Sequence, residues 1–199
     1  MFSKKALIFL TFFIIFFSNI NIVHSIEADV FVQSTVNRAS KLLSENITMD
    51  NKVERLKSIA KDTVDIRGLG FYTLGPVRKS LNADELDEYL ILFEEYFLIS
   101  FSSRLAEYTN PEIDVYGKEV LNENYTMVNS LLKATDQRPE IKIDWRVYTK
   151  DTKNPQIRDL IIEGLSLART QKEEFASILN SNDGDIKSLF KTLKEFSNK

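Results

Sequence analysis

Cysteine is absent from all 199 residues, and the single histidine is His24. A chain without cysteine forms no disulfide, so its fold must rely on the packing of apolar side chains. Beyond residue 25 the chain has no Ser-His-Asp or Cys-His nucleophile and no imidazole or thiolate metal site. Carboxylates, lysines and tyrosines remain and could support catalysis. The absence of the commoner catalytic side chains disfavours an enzyme.

The first residues have the pattern of a secretory signal peptide. Lys4 and Lys5 lead into an apolar run from Ala6 to Phe17, and the small or short side chains of Val23 and Ser25 fit cleavage before Ile26. A retained membrane anchor is the alternative, but the run is shorter than the ~20 residues of a spanning helix. No cysteine follows the run, so lipid attachment there is excluded.

The sequence therefore predicts a signal peptide over residues 1–25 and one domain over residues 26–199. Loss of Lys4 and Lys5 with the signal peptide takes the formal net charge from −3 to −5, because no acidic residue leaves. This balance argues against nucleic acid, or an anionic membrane surface, as an electrostatic partner.

The stretch from Ala83 to Tyr108 predicts a long buried helix. Asn82 and Glu85 have the spacing of an N-terminal capping box, and Arg104 suits the negative end of the helix dipole. Its apolar side chains recur at helical spacing over half the circumference. These positions are Leu86, Tyr89, Leu90, Leu92, Phe93, Tyr96, Phe97, Ile99, Phe101, Leu105 and Tyr108.

Helices are predicted on both sides of this stretch. One covers residues 29–45, and Thr48 or Asp50 caps a second. Three glycines and a proline within residues 65–80 predict a break followed by a short helix from Pro76. Two further helices follow Ser166 and Asp185 near the end of the chain.

Residues 113–163 change to strand periodicity. Alternating patterns predict strands near residues 113–118, 125–131 and 141–148, and residues 156–163, apolar on both faces, predict a fourth. The predicted fold is α+β, with helices packed on one face of a four-stranded antiparallel sheet.

Two features of this fold leave alternatives open. Three acidic pairs are interpreted as solvated surface charge and not as a catalytic acid and base. The side chains of adjacent glutamates on a helix point in different directions and do not converge on one substrate. The pairs are Glu94–Glu95, Asp159–Glu163 and Glu173–Glu174. The aromatic stripe of Phe93, Phe97 and Phe101 fits ordinary core packing or the wall of a cavity.

Four motifs, in their order along the chain, are similar to a known family. They are Leu74-Gly75-Pro76-Val77-Arg78, the long helix with Phe93, Tyr96 and Arg104 to Tyr108, Glu163-Gly164-Leu165-Ser166-Leu167, and Lys172-Glu173-Glu174-Phe175. Over residues 28 to 195 the chain resembles the periplasmic phospholipid-binding proteins of the Mla pathway, the MlaC or toluene-tolerance auxiliary family.

The resemblance implies a periplasmic carrier of a Gram-negative bacterium that shuttles phospholipid between the outer and inner membranes and maintains outer-membrane lipid asymmetry. It implies no reaction, no cofactor and no metal. The implied partners are an inner-membrane ABC transporter complex with an MCE-type lipid-binding subunit and an outer-membrane lipoprotein–porin complex. A carrier of another apolar ligand, such as a hopanoid or sterol, and a non-catalytic adaptor are the alternatives.

Such a carrier must hide two acyl chains, whose ~28 CH₂ groups would cost on the order of 20 kcal/mol in water. We therefore expect an apolar lipid cavity between the long helix and the sheet. The helical side is expected to present Phe71, Leu74, Val77, Leu90, Phe93, Phe97 and Phe101, and the sheet side Met127, Leu131, Trp145, Val147, Ile157 and Ile161. Arg78 is a possible phosphate contact or a surface ion pair, and headgroup selectivity is expected to be poor if only the tails are enclosed.

Overall fold

The computed structural model of the protein describes residues 26–198. The predicted signal peptide lies outside the described residues. Within them the chain forms six α-helices, one 3-10 segment and five β-strands. The helices are α1 (Ala28–Ser44), α2 (Met49–Thr63), α3 (Ile66–Leu74), α4 (Ala83–Ala106), α5 (Leu167–Asn180) and α6 (Ile186–Ser197), and the 3-10 segment is Gly75–Lys79. Over residues 26–198, no helix combines the length and apolarity that crossing a bilayer requires.

The strands form one antiparallel sheet in chain order, which confirms the predicted α+β class. They are β1 (Ile113–Asn122), β2 (Tyr125–Leu132), β3 (Ile141–Tyr148), β4 (Gln156–Ile162) and β5 (Leu165–Ser166). The sheet has one strand more than predicted. The additional strand, β5, is a two-residue segment paired with the end of β4, too short to show any alternation in sequence.

Helix α4 forms as predicted and ends two residues before Tyr108. The Asn82 side chain accepts a hydrogen bond from the Glu85 amide at 2.9 Å, and the Glu85 carboxylate accepts one from the Asn82 amide at 3.1 Å. This capping box fixes where the helix begins. Helix α4 packs mainly against α2, α3 and α6, whereas α1, α3 and α5 contact the sheet.

The predicted break over residues 65–80 is wrong for its first half, which forms helix α3. The Asp65 carboxylate caps this helix by accepting from the Gly68 amide at 2.8 Å. A side chain at Gly70 would place its Cβ 3.0 Å from Leu90 and from Phe93 of α4. Glycine therefore serves helix packing here, and the break comes only at Gly75, where φ is +58°.

The core joins helices and sheet in one large cluster. Along α4 the rings of Tyr89, Phe93, Phe97 and Phe101 stack in sequence, with successive centroids 5.8, 6.2 and 5.4 Å apart. Phe175 of α5 meets the Tyr89 and Phe93 rings edge-on. These aromatic contacts hold α4 and α5 together.

Candidate functional site: an arginine cleft beside an apolar seam

An open cleft of about 520 Å³ lies where α3 and the start of α5 approach the sheet. We call it the arginine cleft, because three of the described residues that line it are arginines and none is an aspartate or glutamate. Its lining residues are Gly68, Leu69, Tyr72, Arg78, Leu121, Asn122, Tyr125, Arg146, Arg158 and Ala168. This charge is opposite in sign to that of the whole chain.

Arg158 is held in place by a β-bulge and three partners. Arg146 pairs with Asp159 and Val147 with Ile157, so Arg158 is the extra residue of β4. Its guanidinium donates to the Asp65 carboxylate at 2.6 Å and to the Tyr125 hydroxyl at 2.7 Å. It also stacks over the Tyr148 ring, 3.9 Å from the centroid. These contacts make Arg158 a rigid part of the cleft.

Arg146 lies 3.6 Å from the carboxylate of Asp159. Asp159 was predicted to be solvated surface charge, and this is wrong because it is 4% exposed. Its oxygens accept from the Ser166 hydroxyl at 2.6 Å and from the Ala168 amide at 3.0 Å. Asp159 thus ties the start of α5 to the sheet through contacts with the first turn of that helix.

Arg78, the predicted phosphate contact, lines the cleft from the 3-10 segment. Val77, its neighbour in sequence, packs against the apolar core instead. Leu69 belongs both to the core and to the cleft lining. The cleft and the apolar interior are therefore directly adjacent.

The predicted positions on the helical side fall into two groups. Leu74, Leu90 and Phe93 are buried in the core, at 3%, 8% and 2% exposure. The others are only partly buried and pack against that core. We call these the apolar seam, and they are Phe71, Val77, Phe97 and Phe101.

The predicted positions on the sheet do not share one face. Trp145, Val147 and Ile157 are buried in the core. Met127 pairs with Arg146, Leu131 with Lys142, and Ile161 with Asp144. Because side chains alternate along a strand, these three lie on the face opposite Trp145.

Sequence reasoning missed the residues of β2 that face the core. It also missed most of the residues that line the cleft. Thr126, Val128, Ser130 and Leu132 are the buried members of β2. Apolar residues occur on both alternating sets of this strand, so the hydrophobic pattern alone did not identify the inner face. Tyr125, Arg146 and Arg158 come together only through strand register and a bulge, for which no sequence signal was available.

The site combines polar hydrogen-bond donors with apolar surface. Among residues 26–198, no group of three or more acidic, histidine or cysteine side chains could hold a metal ion. The cleft offers guanidinium, phenol and amide donors to an anion, and the seam offers apolar contact.

Comparisons with known proteins give the family of the chain by sequence and a solved structure with the same fold. The model of the family described as MlaC protein matches residues 32–195. A solved structure of a phospholipid-binding protein from Ralstonia solanacearum, in complex with a phospholipid, has the same fold with a TM-score of 0.73. The two chains are 16% identical, and the match covers 87% of this chain and 98% of that one.

Proposed function

The chain belongs to the MlaC protein family, and from that premise we propose that it is a periplasmic carrier of phospholipid. In this proposal the acyl chains are sheltered by the apolar seam and by the core beneath it, and the phosphate end lies toward the arginine cleft. The lipid is carried between the outer and inner membranes without chemical change. The solved relative that contains a phospholipid supports the choice of ligand.

The observation that carries the proposal is the adjacency of the cleft and the seam. Val77 and Arg78 are consecutive residues, one packed against the core and the other lining the cleft. Leu69 of α3 belongs both to the core beneath the seam and to the cleft lining. A molecule with an anionic end and apolar chains fits this arrangement, because each end meets groups of matching polarity.

The apolar seam supplies the place where the interior can admit a guest. Phe97 and Phe101 stack at 5.4 Å with their planes 10° apart, and both are only partly buried. When an acyl chain covers aromatic side chains that are partly in water, the free energy falls by about 25 cal/mol per Å² of apolar surface buried. The apolar cavity between α4 and the sheet stays a prediction, and in this proposal lipid chains that enter at the seam extend the existing core.

Handover requires partners in both membranes. We propose an outer-membrane lipoprotein–porin complex and an inner-membrane ABC transporter complex with an MCE-type subunit, as the family resemblance implies. Export would depend on cleavage of the signal peptide over residues 1–25, which leaves residues 26–199 as the carrier.

Transfer between vesicles tests the proposal. Donor vesicles carry a fluorescent phosphatidylethanolamine with a quencher, acceptor vesicles carry neither, and the purified protein is added between them. We expect a rise of fluorescence that scales with protein concentration and that also occurs when a dialysis membrane separates the two vesicle populations. The control is an inert protein, for example lipid-stripped albumin whose lipid-binding sites are blocked. A transfer rate equal to that of the control would reject the carrier function.

A further inference from the structure

We propose that the arginine cleft is a phosphate-recognition site, in which Arg78 and Arg146 bind the phosphate group of the ligand. The inference rests on the proposed function for the lipid as the source of that phosphate. It goes further in one respect: binding depends on the phosphate itself and not on the apolar chains alone.

The charge balance of the cleft supports this. The chain carries 26 basic and 29 acidic residues, yet the described residues that line the cleft include three arginines and no carboxylate. Outside this lining set, the Lys172 ammonium lies 5.1 Å from the centre of the ring of Tyr72, which does line the cleft. The carboxylates that contact these arginines are Asp65 and Asp159. The three lining arginines against these two carboxylates leave an excess of positive charge for a ligand to neutralise.

The arginines differ in how many donors they have left. Arg158 is committed to Asp65, Tyr125 and the Tyr148 ring. Arg146 is 3.6 Å from Asp159, well beyond the 2.7–2.9 Å of a charge-assisted hydrogen bond. Among residues 26–198 the Arg146 guanidinium makes no side-chain hydrogen bond, and its nearest carboxylate oxygen is the Asp159 oxygen at 3.6 Å, so its donors are available to a ligand.

Arg78 has the greatest freedom. Its side chain is exposed, and no carboxylate of residues 26–198 forms an ion pair with it. A guanidinium matches the geometry of a phosphate diester through two parallel N–H donors. Two such groups on one cleft, with Arg158 held rigid beside them, provide a site for one phosphate.

The test compares lipids with identical chains. Protein stripped of lipid is incubated with vesicles that contain equal amounts of dioleoyl phosphatidylethanolamine and dioleoylglycerol, and the bound lipid is identified by native mass spectrometry. We expect the phospholipid to be loaded on the order of tenfold more than dioleoylglycerol. R78Q and R146Q should each weaken phospholipid loading on the order of tenfold, with no effect on dioleoylglycerol.

Two further variants keep the test interpretable. K79Q removes an exposed cation next to Arg78 that does not line the cleft, so it should load lipid like the parent protein. R146K keeps the charge but loses the bidentate fork, so it should fall between the parent and R146Q. A thermal melt shows that each variant is folded before its loading is compared.

The outcomes separate the two proposals. Equal loading of both lipids, unchanged in R78Q and R146Q, overturns phosphate recognition and leaves the lipid carrier standing. If neither lipid loads, the carrier function fails, and titration with glycerol 3-phosphate decides the phosphate site. If glycerol 3-phosphate binds the parent protein and R146Q abolishes that binding, a free phosphate ester is the ligand of the cleft. If glycerol 3-phosphate does not bind, the phosphate site is overturned as well.

Discussion

The hydroxyl oxygens of Tyr89 and Thr73 lie 2.8 Å apart in the buried contact between α4 and α3. The Thr73 hydroxyl points toward the Leu69 and Gly70 carbonyls, each at 3.0 Å, so its oxygen accepts the Tyr89 proton. Burial raises the pKa of Tyr89 well above its usual value of 10, which keeps the phenol protonated and able to donate. The long helix is thereby fixed to the helix that lines the arginine cleft.

Y89F removes this hydrogen bond and leaves the Thr73 oxygen without a donor. We expect the free energy of unfolding to fall by about 1 kcal/mol, the usual net value of a buried hydrogen bond. Urea denaturation monitored by circular dichroism measures it. Y116F makes the same change at a tyrosine that is 60% exposed and should leave the stability unchanged. Equal losses in the two variants would show that the Thr73 contact contributes nothing specific.

G70V tests the close approach of α3 to α4. The added Cβ alone meets Leu90 and Phe93 at 3.0 Å, and valine adds two methyl groups to that Cβ. Overpacking of this kind costs about 1–3 kcal/mol. The matched change G117V places a Cβ in ordinary contact, 3.5 Å from the Asn129 side chain, and should cost much less. A G70V protein as stable as the parent in urea would mean that the helices can separate freely here.

F97D tests the apolar seam. Phe97 stacks between Phe93 and Phe101, so a carboxylate in its place puts an unpaired charge where acyl chains are proposed to lie. We expect at least a tenfold loss of co-purifying phospholipid from the folded variant, measured by phosphorus content per protein. I91D changes a residue of the same helix that is 69% exposed and should retain its lipid. Full retention in folded F97D would remove Phe97 from the seam.

The ion pairs of Lys118 with α1 give a prediction for pH. The Lys118 ammonium hydrogen-bonds the Asp29 carboxylate at 2.8 Å, which lowers the pKa of Asp29 below its usual value. A lowered folded-state pKa contributes stability above the unfolded pKa near 3.9, and that stability is lost as the pH falls through the folded pKa.

In K118M the pKa of Asp29 should rise toward its usual value, as followed by NMR titration of the carboxyl carbon. The effect on overall stability should be small, because both side chains are 36% exposed. If the pKa of Asp29 is unchanged in K118M, the backbone amides at the start of α1, and not Lys118, lower that pKa.

Helix α4 was predictable because its signals are local. A capping box at Asn82 and Glu85 and an apolar period over the whole segment involve residues within one helix turn of each other. The same holds for the four longer strands. Helix α3 was missed because glycine is a helix breaker by intrinsic preference, and its reason for being in this helix, the contact of Gly70 with α4, is tertiary.

The candidate site was less predictable, since it depends on register. Met127 and Val128 are both apolar, and only the pairing of Val128 with Trp145 shows which of them faces the core. Arg158 enters the cleft through a bulge, and its partner Asp65 is 93 positions away in the chain. Arg78 could be named as a candidate from sequence because it belongs to a motif of the family that the chain resembles, whereas Arg146 belongs to none of those motifs.

The central claim, that the folded protein holds a phospholipid, is tested most directly by native mass spectrometry of protein purified without detergent from a Gram-negative host. The account predicts a population heavier than the bare chain by the mass of a diacyl phospholipid, which lipid extraction and fragmentation then identify. A bare chain with no lipid, or a chain that carries a polycyclic lipid in place of a phospholipid, would contradict it.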